Sequence, residues 1–314
     1  MYYSMSEIIT KLRARKERFH CCVLASSEFG LGTKFIFDYC FRKKKYQEQL
    51  HEVIRNILNK YDAGYVQNVY EEKNKLMKEH FKIWFMWWQG IESMPKIIQA
   101  CYNSVINCSA QYEVIFIWEG NIDDYIKIPN TIKEKHKKNI ISNTALSDYI
   151  RISLLKKEGG LWLDASIYCM KKIQNVEKYR FLTGKKRGGR KWTTFFLGVN
   201  ETNNEMFTLL KYYLEKYWHD ENVLIDYFFT DRCIEYLYEN NSDIKEMIDS
   251  VEENNKEIFK LLTLLSEPYD ERYMELLRDG NLFQKISQKK DYRLYKNGKP
   301  TFGNVLLNCN SNKL

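Results

Sequence analysis

From residue 81 onward, the chain alternates short apolar runs with amphipathic stretches. Runs rich in β-branched and aromatic residues predict strands at 82–88, 112–118 and 161–164. Apolar positions at helical spacing predict helices at 95–108 and 147–157. Further along, the pattern predicts one more strand and two helices, at 192–199, 204–217 and 226–238. This alternation is typical of a mainly parallel, Rossmann-type sheet with helices on its faces.

The first part of the chain differs, because its apolar positions recur at helical spacing only. In the stretch 48–60 they share one helical face, which comprises Leu50, Val53, Ile54, Ile57 and Leu58. A second amphipathic stretch covers 66–81. We therefore predict a helical N-terminal extension at 1–79 and an α/β domain at 80–314. We favour an extension packed on the domain, while binding of a partner or a membrane surface stays open.

Between residues 147 and 164, a predicted helix ends at two glycines and leads into a short buried strand. Asp148 and Arg151 share a face of this helix. Gly159 suits the left-handed conformation that ends a helix, and Gly160 allows a tight turn. The strand delivers Asp164 to its carboxyl end, where open α/β sheets bind ligands. A carboxylate there, with a second Asp and an Arg, suits a metal ion and a phosphorylated ligand.

Residues 147–166 read S-D-Y-I-R-I-S-L-L-K-K-E-G-G-L-W-L-D-A-S. This stretch resembles the signature of glycosyltransferase family 32 and its capsular polysaccharide synthesis relatives. I-W-F-M-W-W-Q-G at 83–90 and K-W-T-T-F-F at 191–196 match in the family's order, with L-I-D-Y-F downstream at 224–228. The resemblance implies a GT-A-like fold, a nucleotide-sugar donor, most of all a UDP-sugar, and a bound Mn²⁺ or Mg²⁺.

The resemblance also assigns roles to single side chains. Asp164 would hold the metal, with Ser166 as a weaker ligand, because the chain has Asp-Ala-Ser where the family usually has D-x-D. Asp148 and Arg151 would contact the sugar and the ribose or diphosphate of the donor. Asp226 is a further catalytic candidate, and of Asp226 and Asp231 one would contact the acceptor while the other would be structural. The structural alternatives are a turn cap for Asp164 and a surface ion pair for Asp148 with Arg151.

The nucleobase would lie at the end of the first strand, at Trp87, Trp88, Gln89 and Gly90. An aromatic ring there would stack on the base, and at least one of the two tryptophans would belong to the core, because neighbouring strand residues point to opposite faces. Gln89 would read the edge of the base, and Gly90 would allow its close approach. The basic stretch 185–191 is either a solvated loop or a contact for the diphosphate or an anionic acceptor.

The composition narrows the classes of partner and the cell compartment that we expect for this protein. The charge of +8 comes from 49 basic and 41 acidic residues spread along the chain, without the concentrated basic face of a nucleic-acid binder. The 8 cysteines lack metal-binding spacing and indicate reduced thiols. The sequence has no apolar run of about 18 residues and no signal-peptide pattern. We expect a cytoplasmic protein, and a peripheral contact with the membrane's inner face stays open, as does its oligomeric state.

Motifs of serine hydrolases, zinc proteases, P-loop kinases and dinucleotide dehydrogenases are missing from the sequence. We therefore expect a hexosyltransferase that moves sugar from a nucleotide sugar to a surface polysaccharide, lipopolysaccharide or lipid-linked glycan, with retention of anomeric configuration. A non-catalytic nucleotide- or glycan-binding member of the fold is the first alternative. A toxin-like protein glycosyltransferase is the second, and a nucleic-acid-binding module is the third.

Overall fold

The computed structural model describes residues 5–65, 81–186, 189, 191–289 and 292–308, with side chains in the first helix from residue 16 onward. The chain divides into two compact units. The first unit combines stretches within 1–73, 126–156 and 203–245, and the second combines 74–125, 157–202 and 246–314. The N-terminal helices thus share a unit with later parts of the chain. The predicted amphipathic stretch 66–81 lies almost entirely outside the described residues, and the boundary at residue 79 stays a prediction.

The described helices are α1 Met5–Glu28, α2 Gly32–Phe41, α3 Lys43–Ala63, α4 Lys96–Cys108, α5 Ile122–Tyr125, α6 Asn130–Lys137, α7 Asn143–Glu158, α8 Glu205–Asp220, α9 Phe229–Asn240, α10 Ser242–Asp249, α11 Lys260–Leu264, α12 Glu271–Gly280 and α13 Phe302–Asn308. The strands are β1 Lys82–Met86, β2 Glu113–Ile117, β3 Gly160–Leu163, β4 Ile167–Cys169, β5 Phe181–Thr183, β6 Phe196–Val199, β7 Phe283–Lys285, β8 Tyr295–Lys296 and β9 Lys299–Pro300. Among the described residues, no helix is both long and apolar enough to cross a bilayer.

The first unit is helical. Leu50, Ile54 and Leu58 of α3 are buried, as their spacing predicts, and α3 packs against α8 and α9. Helix α9 begins at Phe229, three residues after the predicted start. Asp226 explains the delay, because its Oδ1 accepts a hydrogen bond from the Phe228 N–H at 3.2 Å. Such a side-chain bond holds the backbone in a turn before the helix.

The second unit contains a five-stranded sheet in the order β2-β1-β3-β6-β5. Strand β1 pairs in parallel with β2 and β3, whereas β6 runs antiparallel to both β3 and β5. Consequently β2, β1, β3 and β5 point one way and only β6 points the other way. The predicted mainly parallel α/β sheet is confirmed. Strand β6 is shorter than predicted and starts at Phe196.

The two glycines join α7 to β3 as the sequence predicts. Gly159 has φ of 62° and ends the helix, and its carbonyl accepts a hydrogen bond from Trp84 Nε1 at 2.8 Å. Gly160 has φ of 95°, and a Cβ there would lie 2.4 Å from the Lys82 carbonyl oxygen. Only glycine allows this close approach of β3 to β1.

Alternate residues of β1 and β3 supply one face of a continuous core. Ile83, Phe85, Leu161 and Leu163 pack in one buried cluster with residues of α4, α11, α13 and β7. Every residue of β3 is buried, which is typical of a strand covered on both faces. The packed sheet therefore holds the residues that follow its strand ends in fixed positions.

Candidate active site

The carboxyl ends of four strands lie along one edge of the sheet in the second unit. Trp118 follows β2, Trp87 follows β1, Asp164 follows β3 and Gly184 follows β5. The antiparallel β6 begins at this edge, and the carbonyl of the preceding Phe195 accepts a hydrogen bond from the Asp164 N–H at 2.9 Å. We call these residues the strand-end edge. Open α/β sheets bind their ligands at such an edge.

Asp164 stands at the centre of the strand-end edge with both carboxylate oxygens engaged. Its Oδ1 accepts a hydrogen bond from Trp162 Nε1 at 2.9 Å, and its Oδ2 pairs with Lys285 Nζ at 2.9 Å. Lys285 reaches it because the chain turns after Asp164 into β4, whose Ile167 pairs with Lys285 of β7. The side chains of Lys285 and Asp164 are 20% and 25% exposed, so ligands and solvent can reach both.

The side chains at Asp164 do not fit a divalent cation as they are placed. The predicted set is one carboxylate and the hydroxyl of the half-buried Ser166, whose carbonyl oxygen is bound by the Ile286 N–H. The Lys285 ammonium lies against Oδ2, and a metal ion at that oxygen would meet its like charge. Among the described residues, no cluster of three or more His, Cys, Asp or Glu side chains could hold a metal ion. The metal site stays a prediction.

The predicted nucleobase residues occupy the loop after β1. Trp87 packs against the core of the second unit, and its Nε1 donates to Ser93 Oγ at 2.9 Å. Trp88 is half-buried and Gln89 is exposed. Gly90 has φ of 87°, and a Cβ there would lie 3.6 Å from the Trp118 ring. Their roles toward a nucleobase stay predictions.

Trp118 is a candidate that the sequence analysis did not single out. Its side chain is 43% exposed, and it follows β2 at the same edge as Trp87. A Cβ on Gly120 would lie 2.3 Å from the ring, so the glycine leaves the room that the indole occupies. The rule that placed Asp164 at a strand end would also have found Trp118.

In the first unit, Asp148 and Arg151 form an ion pair within α7. Arg151 Nη2 lies 2.9 Å from Asp148 Oδ1, and the side chains are 5% and 21% exposed. Thr230 of α9 donates to the other oxygen, Oδ2, at 3.2 Å. This is a largely buried pair and not a solvated surface pair. The predicted contacts of both residues with a donor stay predictions.

Asp226 also lies in the first unit, within a polar network before α9. Its Oδ2 accepts a hydrogen bond from Arg232 Nε at 3.0 Å, and Arg232 Nη1 also binds Glu235 at 3.0 Å. The described contacts give Asp226 a structural role at the start of α9. Its predicted catalytic role is untested by them.

The basic stretch 185–191 is described in part, because Arg187, Gly188 and Arg190 lie outside the described residues. Lys185 and Lys186 line a cavity of about 490 Å³ in the second unit. The cavity wall is fixed by Thr193, whose Oγ1 accepts a hydrogen bond from the Gly184 N–H at 3.2 Å. The second unit thus holds a central ion pair and, along the same edge, a cavity bounded by lysines.

The mainly parallel sheet makes this an open α/β protein. Proteins of this class bind ligands beyond the carboxyl ends of their strands, where this chain has charged and aromatic side chains. The chain belongs to the capsular polysaccharide synthesis protein family, whose model matches residues 35–304. The predicted relationship to capsular polysaccharide synthesis proteins is thereby confirmed, while membership of glycosyltransferase family 32 stays a prediction.

Among solved structures, the chain is similar to the PaToxG glycosyltransferase, with 13% sequence identity and a TM-score of 0.41. The match covers 65% of this chain and 83% of that one. A comparison with curated proteins finds no match.

Proposed function

We propose that this protein is a glycosyltransferase of capsular polysaccharide synthesis. It transfers a hexose from a nucleotide sugar, a UDP-sugar above all, to a growing surface polysaccharide or a lipid-linked glycan. The observation that carries this proposal is the ion pair of Asp164 and Lys285 at the strand-end edge of a chain that belongs to this family. Within this pair, Lys285 supplies a positive charge where a diphosphate would need one.

The nucleobase binds on the β1 and β2 side of Asp164. The exposed Trp118 ring offers a flat surface for stacking, and Gln89 offers an amide for the base edge. A nucleotide placed there directs its diphosphate toward the end of β3. The donor thus spans the strand ends from β2 to β3.

Lys285 neutralises the charge of the leaving diphosphate, and Asp164 positions the Lys285 ammonium. An ammonium is a compact charge on a flexible stem, so Lys285 can turn from Asp164 Oδ2 toward a phosphate oxygen. Its ring contact with Phe195, at 5.0 Å from Nζ to the centroid, limits where the ammonium can go. In many enzymes, the largest single contribution to the rate comes from protein charges placed where the transition state develops the opposite charge.

Transfer with retention of configuration follows one set of bond changes. The bond between the sugar C1 and the β-phosphate oxygen breaks, and its electron pair stays on that oxygen. The acceptor hydroxyl oxygen forms the new bond to C1 on the same face. Its proton passes to the departing phosphate oxygen, so no separate protein base is required.

The test measures nucleotide release from a panel of UDP- and GDP-sugars by the native chain and by Asp164→Asn. We expect release from one donor and a loss of about 100-fold in the variant, because Lys285 is no longer held at the diphosphate. Thermal unfolding of both proteins controls for folding. If no donor is hydrolysed and no nucleotide raises the Tm, the non-catalytic alternative replaces this proposal.

The same assay, run with EDTA and with Mn²⁺ or Mg²⁺, decides between Lys285 and a metal ion. Turnover that persists in EDTA supports Lys285 as the only cation at the diphosphate. Turnover that requires Mn²⁺ supports the metal predicted at Asp164 and Ser166, and Ser166→Ala should then raise the metal concentration needed.

We also propose that the first unit contacts the cytoplasmic face of the membrane. Phe37 and Phe41 are exposed on α2, with ring centroids 4.9 Å apart. Arg42 and three lysines at 43–45 follow directly. Exposed aromatic rings beside basic residues suit an anionic lipid surface. Co-sedimentation with phosphatidylglycerol vesicles should exceed that with phosphatidylcholine vesicles and should fall in Phe41→Ser, and equal sedimentation with both lipids would refute the contact.

A further inference from the structure

The cavity of about 490 Å³ lies at the strand-end edge on the side away from β1. Gly184 at the end of β5 and Thr193 ahead of β6 form part of its wall. Because the sheet order is β1-β3-β6-β5, Asp164 lies between the proposed nucleotide side and this cavity. Its volume falls in the range of small-ligand pockets.

The lining of the cavity is predominantly cationic. Four lysines line it, at positions 185, 186, 256 and 260, against one carboxylate, Glu257. Lys185 is held by the Asp249 carbonyl oxygen at 2.8 Å, which fixes its ammonium without neutralising its charge. Lys256 pairs with Glu253 at 3.4 Å. Among the described residues, neither Lys186 nor Lys260 lies within ion-pair distance of a carboxylate.

An aromatic ring accompanies these charges and connects the cavity to Asp164. Phe259 lines the cavity and is 42% exposed. Its ring contacts Phe195 edge-on, with centroids 5.7 Å apart. Phe195 in turn lies under the ammonium of Lys285, which binds Asp164. One series of contacts within the second unit therefore joins the cavity to the proposed site of transfer.

We propose that this cavity binds the acceptor, and that the acceptor is a glycan bearing negative charges on its sugar rings. The Phe259 ring stacks on a sugar face, and the lysines bind carboxylates carried by the same or the next sugar. A neutral glycan would leave the ammonium groups of Lys186 and Lys260 without a carboxylate partner. This inference rests on the proposed transferase function, because it names the acceptor class of that same site.

Binding to the full chain is measured by calorimetry with three probes. Hexagalacturonate carries a carboxylate on every ring, maltohexaose is neutral, and inorganic pyrophosphate represents the diphosphate of a donor or lipid carrier. We expect hexagalacturonate to bind at least tenfold more tightly than maltohexaose. The double variant Lys256→Gln/Lys260→Gln should weaken hexagalacturonate binding by roughly tenfold and leave maltohexaose unchanged.

Two further variants separate charge from stacking. Phe259→Ala should weaken both sugars by about fivefold, because stacking does not depend on the carboxylates. Lys299→Gln is the matched control, since Lys299 is exposed in the same unit and does not line the cavity. It should bind hexagalacturonate like the native chain.

Equal affinity for the two hexasaccharides would overturn the proposal, and so would equal losses in the double variant and in Lys299→Gln. Pyrophosphate binding that weakens in the double variant, without any hexagalacturonate binding, would assign the cavity to a diphosphate and would also overturn it. Donor hydrolysis by the native chain is assayed in parallel. Hexagalacturonate binding without donor hydrolysis or nucleotide binding would refute the transferase, whereas donor hydrolysis without hexagalacturonate binding would refute only the acceptor class.

Discussion

The two aspartates of the central sequence motif lie in different environments, although only a helix end and one strand separate them in the chain. In the first unit, Asp148 pairs with Arg151 of its own helix, and that arginine is 5% exposed. In the second unit, Asp164 pairs with Lys285, which lies far away in the sequence and is 20% exposed. Both carboxylates have a cation at 2.9 Å.

The difference lies in what each cation can do. A buried guanidinium held within its own helix contributes chiefly to structure, because removing one partner leaves a charge without compensation. A half-buried ammonium on a flexible side chain can exchange its carboxylate for a phosphate at little cost. We therefore expect the loss of the Asp148 pair to affect mainly the stability of the first unit, and the loss of the Asp164 pair to affect mainly the proposed chemistry of the second unit.

The largest expected effect comes from Lys285→Met. Donor turnover should fall by about 10²- to 10³-fold, because the leaving diphosphate loses its positive partner. The Tm should stay close to that of the native chain, since an ion pair that solvent can reach contributes little to stability. Rates of nucleotide release and thermal unfolding, measured on the same preparations, test both parts.

Lys285→Arg should restore part of the lost rate, because it restores the charge with a different shape. Lys299→Met is the control for the loss of one positive charge from the same unit. A Lys285→Met protein that turns over like the native chain would remove Lys285 from the mechanism. The two ion pairs would then differ in burial but not in their importance for turnover.

The next effect concerns stability rather than rate. Arg151→Met should lower the free energy of unfolding by roughly 3 kcal/mol, because the largely buried carboxylate of Asp148 would lose its positive partner. Lys285→Met is the matched comparison and should cost less than about 1 kcal/mol. Urea unfolding followed by circular dichroism measures both values. An Arg151→Met protein as stable as the native chain, with its donor turnover lost, would reverse the assignment.

Local patterns predicted the framework of this site, because they depend on neighbours in the chain. The glycine pair, the strand β3 and the position of Asp164 at its end follow from residues within about twenty positions of one another. The partner of Asp164 could not be predicted in this way. Lys285 reaches it only because β7 pairs with β4, and nothing in the surrounding sequence marks that pairing.

The environment of Asp148 was predictable only in part. Helical spacing places Arg151 beside it, but spacing does not reveal that the pair is buried or that Thr230 of α9 completes it. Asp226 shows the same limit, since its ion pair with Arg232 depends on the turn that delays the start of α9. Tertiary contacts between distant segments decide these cases.

The smallest expected effect is on the pH dependence of stability, which tests whether the part of α7 around Asp148 is buried. Burial raises the pKa of the neighbouring Tyr149, whose hydroxyl donates to Glu215 Oε1 at 2.7 Å. A phenol with a raised pKa stabilises the fold fully below its unfolded pKa of about 10, and this contribution is lost as the pH rises above that value. Between pH 9 and pH 10.5, Tyr149→Phe should therefore lose about 1 kcal/mol less stability than the native chain. Tyr179→Phe, at an exposed position, should follow the native chain in Tm measurements across the same range. Identical pH profiles for Tyr149→Phe and the native chain would mean that the Tyr149 phenol is not buried, and that this part of α7 is open to solvent.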